Sequence, residues 1–286
     1  MLERNVATFW QSHPCGDESV GGLVDGYEGD HKAFFSAYDK ARYGTECHIP
    51  ACLDDLHVAG KRVLEIGLGQ GAESEQLIRR GAIWTGLDIT EEAVGRVRAR
   101  LQLGDLPFSD IRQGSASAIP FADDEFDLVF SHGVLHHIPD IRSAQREIHR
   151  VLNPNGRLVA MLYARRSLNY QVSIRVLRRA ALLIAWPLRR HVHTGMLAAH
   201  LAAAEQEGLW NYLRMRRFVH ANTDGPSSPF ARVYDLNDVN RHFSLFEIRH
   251  SHQHYMHAPP LPVHGWPGGR VMGWHLWVEL VPLQRW

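Results

Sequence analysis

The stretch Val63-Leu64-Glu65-Ile66-Gly67-Leu68-Gly69-Gln70-Gly71 decides the fold class of this chain. Its first half has the composition of a buried strand, and its second half is a turn with three glycines. An amphipathic helix is predicted to follow over about residues 72–80. Glycines let the backbone turn sharply and approach a ligand closely where any side chain would collide. The stretch therefore predicts a ligand site at a strand-to-helix turn.

A second buried strand, Trp84-Thr85-Gly86-Leu87-Asp88, ends in a carboxylate. An acidic residue about 20 positions after a glycine turn is placed to accept hydrogen bonds from the hydroxyl groups of a ribose. Asp88 can instead cap the helix that follows it, and Thr90 competes for that position. The two strands together predict a nucleoside site, with both roles of Asp88 open.

The composition excludes several classes of protein. The chain has 286 residues, of which 45% are hydrophobic, enough for one α/β domain with an appendage. Its formal net charge is zero, so its overall charge does not indicate a nucleic-acid partner. Three scattered cysteines do not make a disulfide framework, which favours a reducing, cytoplasmic location. The sequence shows neither a signal peptide nor the apolar run of about 18 residues that a transmembrane segment needs.

The pattern alternates between strand and helix in the first part of the chain after residue 60. Strands are predicted over residues 62–66, 82–87, 110–113, 126–131 and 156–163. Helices are predicted near residues 72–80, 91–102 and 140–152. Such alternation is typical of a parallel sheet that helices cover on both faces.

The pattern changes after residue 163. The stretch from His149 to Ala204 contains nine arginines and no acidic residue, and helices are predicted over residues 172–188 and 196–207. Strand character returns over residues 245–254 and 273–281. The predicted segments are an N-terminal helical segment (1–60), with helices at 31–43 and 49–56 around a loop at 12–29, a core (61–163), a helical insertion (164–242) and two final strands (243–286).

Four ordered motifs resemble a known family. A dinucleotide-binding turn has the pattern G-x-G-x-x-G, whereas this chain has Gly67-x-Gly69-x-Gly71 behind Glu65, and Ala72 comes next. This compact turn resembles motif I of the class I S-adenosylmethionine (SAM)-dependent methyltransferases. The other motifs that resemble this family, in the same order, lie at residues 114–121, 126–137 and 152–158. The last has asparagines where the family has Lys and Gly, and the whole set is similar to the methyltransferase type 11 group.

The resemblance implies a fold and a cofactor. The fold is a Rossmann-like, seven-stranded, mostly parallel sheet flanked by helices, with the helical insertion after the fifth strand. The cofactor is SAM, and its product is S-adenosylhomocysteine (SAH). The resemblance also implies that residues 1–60 form a lid over SAM and that residues 164–242 form a cap that binds the methyl acceptor.

The resemblance further implies which residues bind SAM. By motif position they are Tyr43, Glu65, Gly67, Gly69, Gly71, Asp88, Ile89, Ser115, Ala116 and Ser131. Within this set the glycines make room for the methionine part, Asp88 binds the ribose, and Ser115 and Ala116 flank the adenine. Tyr43, on a helix before the first strand, is equally well explained by ordinary packing.

Histidines are the candidates for proton transfer and for metal binding. His132 and His136 are the predicted catalytic residues, with a purely structural role at the strand exit as the alternative. The neighbours His136 and His137 cannot both face one pocket. Residues His250, His252 and His254 alternate and so share a strand face, which permits a metal site. No cysteine lies near them in the sequence, so a half-exposed strand face is the simpler interpretation, and no metal is predicted.

These features predict a SAM-dependent methyltransferase that acts on a small molecule in natural-product or cofactor biosynthesis. Oxygen is the commonest acceptor atom, and nitrogen and carbon stay open. One alternative is a methyltransferase for a macromolecule or lipid, which contacts the membrane surface through the arginine-rich helix. The others are a non-catalytic SAM-binding partner protein and a nicotinamide dehydrogenase. The sequence leaves both a monomer and a homodimer open.

Overall fold

Seven strands form one sheet in the computed structural model, which describes residues 2–15 and 29–283. The strands are β1 (Arg62–Ile66), β2 (Ile83–Asp88), β3 (Asp110–Gln113), β4 (Phe126–His132), β5 (Leu152–Tyr163), β6 (Phe246–His254) and β7 (His275–Pro282). Their order is β3-β2-β1-β4-β5-β7-β6. Strands β1 to β5 are parallel, and β7 is antiparallel to both β5 and β6. The predicted fold class is confirmed.

Helices flank the sheet and fill the stretch between β5 and β6. They are α1 (Leu2–Ser12), α2 (His31–Thr45), α3 (Ile49–Asp54), α4 (Ala72–Arg79), α5 (Glu91–Leu103), α6 (Ile141–Val151), α7 (Arg179–Ala185), α8 (Gly195–Glu207), α9 (Leu209–Tyr212), α10 (Met215–Thr223), α11 (Leu236–His242) and α12 (Gly269–Met272). Most of the loop predicted at residues 12–29 lies outside the described residues. Within the described ranges, every helix is too short or too polar to cross a lipid bilayer.

The helix predicted over residues 172–188 is less regular than its apolar spacing indicates. A π-helix, Asn169–Arg178, leads into α7, and a 3₁₀-helix, Trp186–His191, follows it. Pro187 lies at the start of this last helix. Because proline has no backbone N–H and its ring clashes with the preceding turn, a regular α-helix does not continue through it.

Two apolar clusters cover the two faces of the sheet. Leu64, Val129 and Leu158 belong to one cluster, and Val63, Leu128 and Phe130 belong to the other. Neighbouring residues of one strand thus point to opposite faces, and both faces are buried. This double burial explains why the parallel strands have almost continuous apolar sequences.

The start of α5 decides between the two roles that the sequence left open for Asp88. The Thr90 hydroxyl accepts a hydrogen bond from the backbone N–H of Ala93 and therefore caps this helix. The Asp88 carboxylate instead accepts hydrogen bonds from the backbone of Leu68 and from Thr90. Asp88 therefore links the end of β2 to the glycine turn after β1.

The glycine turn passes very close to the chain that leaves β4. Gly67 has a φ of +82°, and a Cβ built on it lies 2.1 Å from a γ-methyl carbon of Val134. Gly69 has a φ of +52°, and a Cβ built there meets nothing within 4 Å. Gly67 is thus required for packing, whereas Gly69 faces open space.

We expect Gly67→Ala to destabilise the protein strongly. A left-handed backbone at a non-glycine residue costs about 1–2 kcal/mol, and forcing an extra methyl into a packed site costs about 1–3 kcal/mol. Gly95→Ala is the control, because Gly95 is exposed in the interior of α5 with nothing within 4 Å of a built Cβ. Gly95→Ala should raise the free energy of unfolding by about 0.5–1 kcal/mol. Denaturant unfolding measures both, and similar effects of the two variants would contradict this packing.

Candidate functional site

A cavity of about 250 Å³ lies at the carboxyl ends of β1, β2 and β4. Open α/β sheets bind their ligands at this edge. Helices before the first strand cover the cavity, with Trp10 contributed by α1 and with Tyr38 and Arg42 contributed by α2. The N-terminal helices therefore form a wall of the site.

One end of the cavity is built from the glycine turn and Asp88. Gly67, Gly69 and Asp88 line it. One carboxylate oxygen of Asp88 accepts the Leu68 N–H at 2.7 Å, and the other accepts both the N–H and the hydroxyl of Thr90, each at 2.8 Å. Burial raises the pKa of Asp88, and these hydrogen bonds act in the opposite direction. A carboxylate is thus held rigidly at the end of β2.

The surroundings of Asp88 fit a nucleoside. The side chains of Ile89, Ala116 and Ile138 line the same cavity and offer apolar contacts to a flat ring. Asp88 offers acceptor oxygens to hydroxyl groups, and the open space at Gly69 lets a ligand approach the backbone. A ring, a pair of hydroxyls and a chain that runs past the glycine turn are the parts of SAM, so these residues fit that cofactor.

Five residues predicted to bind SAM do not line the cavity. They are Tyr43, Glu65, Gly71, Ser115 and Ser131. Ser115 contacts the cavity wall indirectly. Its hydroxyl is hydrogen-bonded to the carboxylate of Glu3, and Glu3 lines the cavity. Gly71 caps α4 with a φ of +74°, and Tyr43 packs against the apolar clusters around α2.

Glu65 and Ser131 instead hold neighbouring strands together behind the cavity. The Glu65 carboxylate accepts the indole N–H of Trp84 at 2.7 Å, which links β1 to β2. Burial raises the pKa of Glu65 to about 8. The Ser131 hydroxyl donates to the carbonyl of Ile66 at 3.0 Å and links β4 to β1. These contacts give both residues a positioning role for the glycine turn.

Arg42 is the centre of a buried ionic network on the cavity wall. Its guanidinium lies 2.7 Å from the carboxylate of Glu73 and 3.7 Å from that of Glu46. It also lies 3.0 Å from Nδ1 of His132. The network joins α2 to the start of α4 and to the end of β4. It places one positive charge, balanced by two carboxylates, beside the glycine turn.

The contact with Arg42 defines what His132 can do. A guanidinium only donates hydrogen bonds, so Nδ1 of His132 accepts one and Nε2 carries the ring proton. Burial and the charge of Arg42 hold the pKa of His132 well below its usual range, which keeps the ring neutral. His132 lines the cavity. Its geometry favours a hydrogen-bond donor over the proton acceptor that the sequence predicted.

The neighbours His136 and His137 face in different directions. His136 lies outside the cavity, completely buried, with its ring centroid 3.8 Å from that of Tyr163. Burial holds its pKa well below the usual range, so it packs as a neutral ring. The structure therefore does not support the prediction that His136 is catalytic. His137 lines the cavity instead, because both histidines belong to the 3₁₀ turn Leu135–His137 that directs them apart.

His137 forms a polar group with two other residues on the cavity wall. Its Nδ1 lies 2.8 Å from the carbonyl of Phe230, and a carbonyl only accepts, so Nδ1 carries a proton. Its Nε2 lies 3.3 Å from Oδ2 of Asp224. The other oxygen of Asp224 accepts the hydroxyl of Tyr163 at 2.8 Å. Nε2 and Oδ2 have no hydrogen-bond partner among the described residues, and both residues line the cavity.

Sequence reasoning missed Asp224 and the role of His137. Asp224 follows α10 in the insertion, 87 positions after His137, and no local pattern connects the two. The sequence indicates only that the adjacent residues His136 and His137 point in different directions. It does not indicate which of the two faces the cavity. Their pairing depends on how the insertion packs onto the sheet edge.

The chain matches a family model described as a methyltransferase domain over residues 64–160. It is 39% identical over 101 residues to the fatty-acid O-methyltransferase of Mycolicibacterium smegmatis, in an alignment that covers 35% of this chain and 36% of that protein. It is 38% identical over 102 residues to the ubiquinone biosynthesis O-methyltransferase of Aeromonas salmonicida, covering 35% and 42%. The chain spans less than half the length of these curated relatives.

Solved structures share the fold over most of the chain. The YcgJ protein of Bacillus subtilis aligns with a TM-score of 0.51 and 18% identity, covering 84% of this chain and 100% of that one. A SAM-dependent methyltransferase of Methanosarcina mazei aligns with a TM-score of 0.53 and 17% identity, covering 82% and 98%. Residues 64–160 therefore match a methyltransferase-domain model, and the chain has the fold of the class I SAM-dependent methyltransferases.

Proposed function

We propose that this protein transfers the methyl group of SAM to a hydroxyl oxygen of a small aromatic molecule. The observation that carries the proposal is one continuous cavity. It joins a nucleoside end, with Asp88 and Gly69, to a second end that contains the polar group of His137 and Asp224. The names of two relatives, which are both O-methyltransferases, support oxygen as the acceptor atom.

The residues at the nucleoside end suit each part of SAM. Asp88 would hold the ribose, and Ile89 and Ala116 would pack against the adenine. Arg42 would pair with the methionine carboxylate beyond the glycine turn. Glu73 holds Arg42 in place from the opposite side through the 2.7 Å ion pair.

The second end of the cavity selects the acceptor. Trp10, Tyr163 and His137 present rings there, with the rings of Trp10 and His137 5.2 Å apart. Such walls favour a flat aromatic acceptor. The carboxylate of Asp224 would repel an acceptor that is itself a carboxylate, such as a fatty acid. A neutral phenolic or enolic hydroxyl meets both conditions.

The pair His137–Asp224 is suited to accept the hydroxyl proton. SAM, when bound, would supply the methyl group of its sulfonium to the acceptor oxygen and would leave as SAH. Nε2 of His137 and Oδ2 of Asp224 lie 3.3 Å apart on the cavity wall, and neither atom has a hydrogen-bond partner among the described residues. An acceptor hydroxyl placed beside these two atoms can therefore hand its proton to one of them as its oxygen takes up the methyl group. Tyr163 keeps Asp224 in position through its hydroxyl.

We expect Arg42→Gln to weaken the binding of SAH but not that of 5′-methylthioadenosine, which lacks the amino-acid part. Loss of a charged hydrogen bond of about 1.5–3 kcal/mol corresponds to roughly ten- to hundredfold weaker binding. Calorimetric titration measures both ligands, and unchanged binding of methylthioadenosine shows that the variant is folded. Arg79→Gln, at an exposed arginine outside the cavity, is the control. Equal losses for both ligands would contradict the role of Arg42.

We expect His137→Asn and Asp224→Asn to slow methyl transfer to phenols by about 10²–10⁴-fold, the usual contribution of a general base. Transfer to thiophenol should change little, because that acceptor is already ionised at neutral pH. The activity of both variants toward phenols should recover as the pH rises and the phenol itself ionises. A methyl-transfer assay over a panel of phenols measures this.

The controls separate catalysis from binding and folding. SAH affinity should be the same in both variants as in the unchanged protein, and His264→Asn, at an exposed histidine, should have full activity. Equal losses with phenol and thiophenol would show that the pair does not act in proton transfer.

A further inference from the structure

A second cluster of potential ligands lies away from the cavity, at the edge of the sheet. Cys52 on α3 meets His252 and His254 on β6, which is one of the two edge strands. We propose that these three residues bind a transition-metal ion such as Zn²⁺ and that the ion fastens α3 to β6. This proposal is independent of the methyl-transfer activity.

The distances suit a tetrahedral ion. One ligand atom from each residue lies within 4.8 Å of the other two, and Sγ of Cys52 lies 3.7 Å from Nε2 of His252. Zinc binds sulfur at about 2.3 Å and nitrogen at about 2.0–2.1 Å, so a tetrahedral angle separates the two ligands by about 3.5 Å. The observed separation therefore needs only a small adjustment. Three protein ligands leave the fourth position to water.

The fold directs both histidines to the same side. They are two residues apart on β6, so their side chains share one face. The ring of His252 stacks on Trp277, with centroids 6.2 Å apart, and the ring of His254 stacks on His48, with centroids 4.9 Å apart. Such packing restricts the ring orientations before an ion binds, which lowers the entropy lost on binding.

The ligand types also suit a metal. Transition metals bind histidine through a neutral ring and cysteine through its thiolate, so metal binding here would release the proton of the Cys52 thiol. Asp55 and Arg270, both exposed, act on Cys52 and His252 with opposite charges. Neither sign of charge therefore dominates this group.

A comparable group inside the cavity, Glu46 with His132 and His275, is a poorer metal site. The guanidinium of Arg42 already lies 3.0 Å from Nδ1 of His132 and 3.7 Å from Glu46. A second cation would meet this buried positive charge. The edge cluster is therefore the better candidate. The sequence predicts no metal here, since no cysteine lies near these histidines in the chain, but the fold brings Cys52 to His252 across 200 positions.

Cobalt titration of the metal-free, untagged chain tests the proposal. We expect one Co²⁺ per chain, with a sulfur-to-cobalt charge-transfer band in the near ultraviolet and the visible bands of a tetrahedral site. Zn²⁺ should displace the cobalt and raise the melting temperature. Absence of binding, or a spectrum without the charge-transfer band, would overturn the proposal.

Matched variants locate the ion. Cys52→Ser should remove the charge-transfer band, whereas Cys47→Ser, at an exposed cysteine five positions earlier, should keep it. His254→Ala should weaken Co²⁺ binding by roughly tenfold or more, and His250→Ala should not, because His250 is outside the ligand group. Circular dichroism checks the folding of each variant, and His254→Ala tests the site even if Cys52→Ser does not fold. A band that survives in Cys52→Ser, or is lost in Cys47→Ser, would refute this assignment.

Discussion

One buried carboxylate, that of Asp88, holds together the two strand ends between which the cavity lies. It accepts hydrogen bonds from the glycine turn at Leu68 and from Thr90 at the start of α5. A buried charge is costly unless hydrogen bonds compensate for its lost hydration. The backbone of the turn and Thr90 donate these hydrogen bonds, and the bonds fix the turn in place. The position of Gly67 against Val134, and with it the shape of the cavity, depends on these hydrogen bonds.

A second constraint is the charge balance around Arg42. Burying an arginine on the wall of a cavity is tolerable only beside carboxylates, and Arg42 on α2 is met by Glu73 on α4 and by Glu46 directly after the end of α2. The same guanidinium occupies the acceptor nitrogen of His132. This contact disfavours proton acceptance by His132, and we propose the pair His137–Asp224 for that role.

The sequence predicts those parts of the fold that depend on local pattern. The strands of the core, the turn at Gly67 and the acidic end of β2 all follow from burial, glycine spacing and alternation. The fold class follows from the ordered motifs. Helix α1 packs over the cavity with Trp10 in its wall, which agrees with a lid but does not follow from composition.

The remaining features depend on contacts between distant segments. Which of His136 and His137 faces the cavity depends on a single short turn, and the partner Asp224 comes from the insertion. The irregular helix over residues 169–191 departs from its apolar spacing at Pro187. The contact of Cys52 with His252 is created by the antiparallel placement of β6 beside β7, at the edge next to α3. No periodicity in the sequence specifies these pairings.

Calorimetric titration with SAM and SAH, beside NAD, tests the central claim most directly. The account predicts that both adenosyl ligands bind and that NAD does not. It also predicts that Asp88→Ala abolishes binding, whereas Asp88→Asn, which keeps an acceptor oxygen for the turn, retains a folded protein with weaker binding. Binding of NAD in place of SAM, or failure of the folded protein to bind either adenosyl ligand, would contradict it.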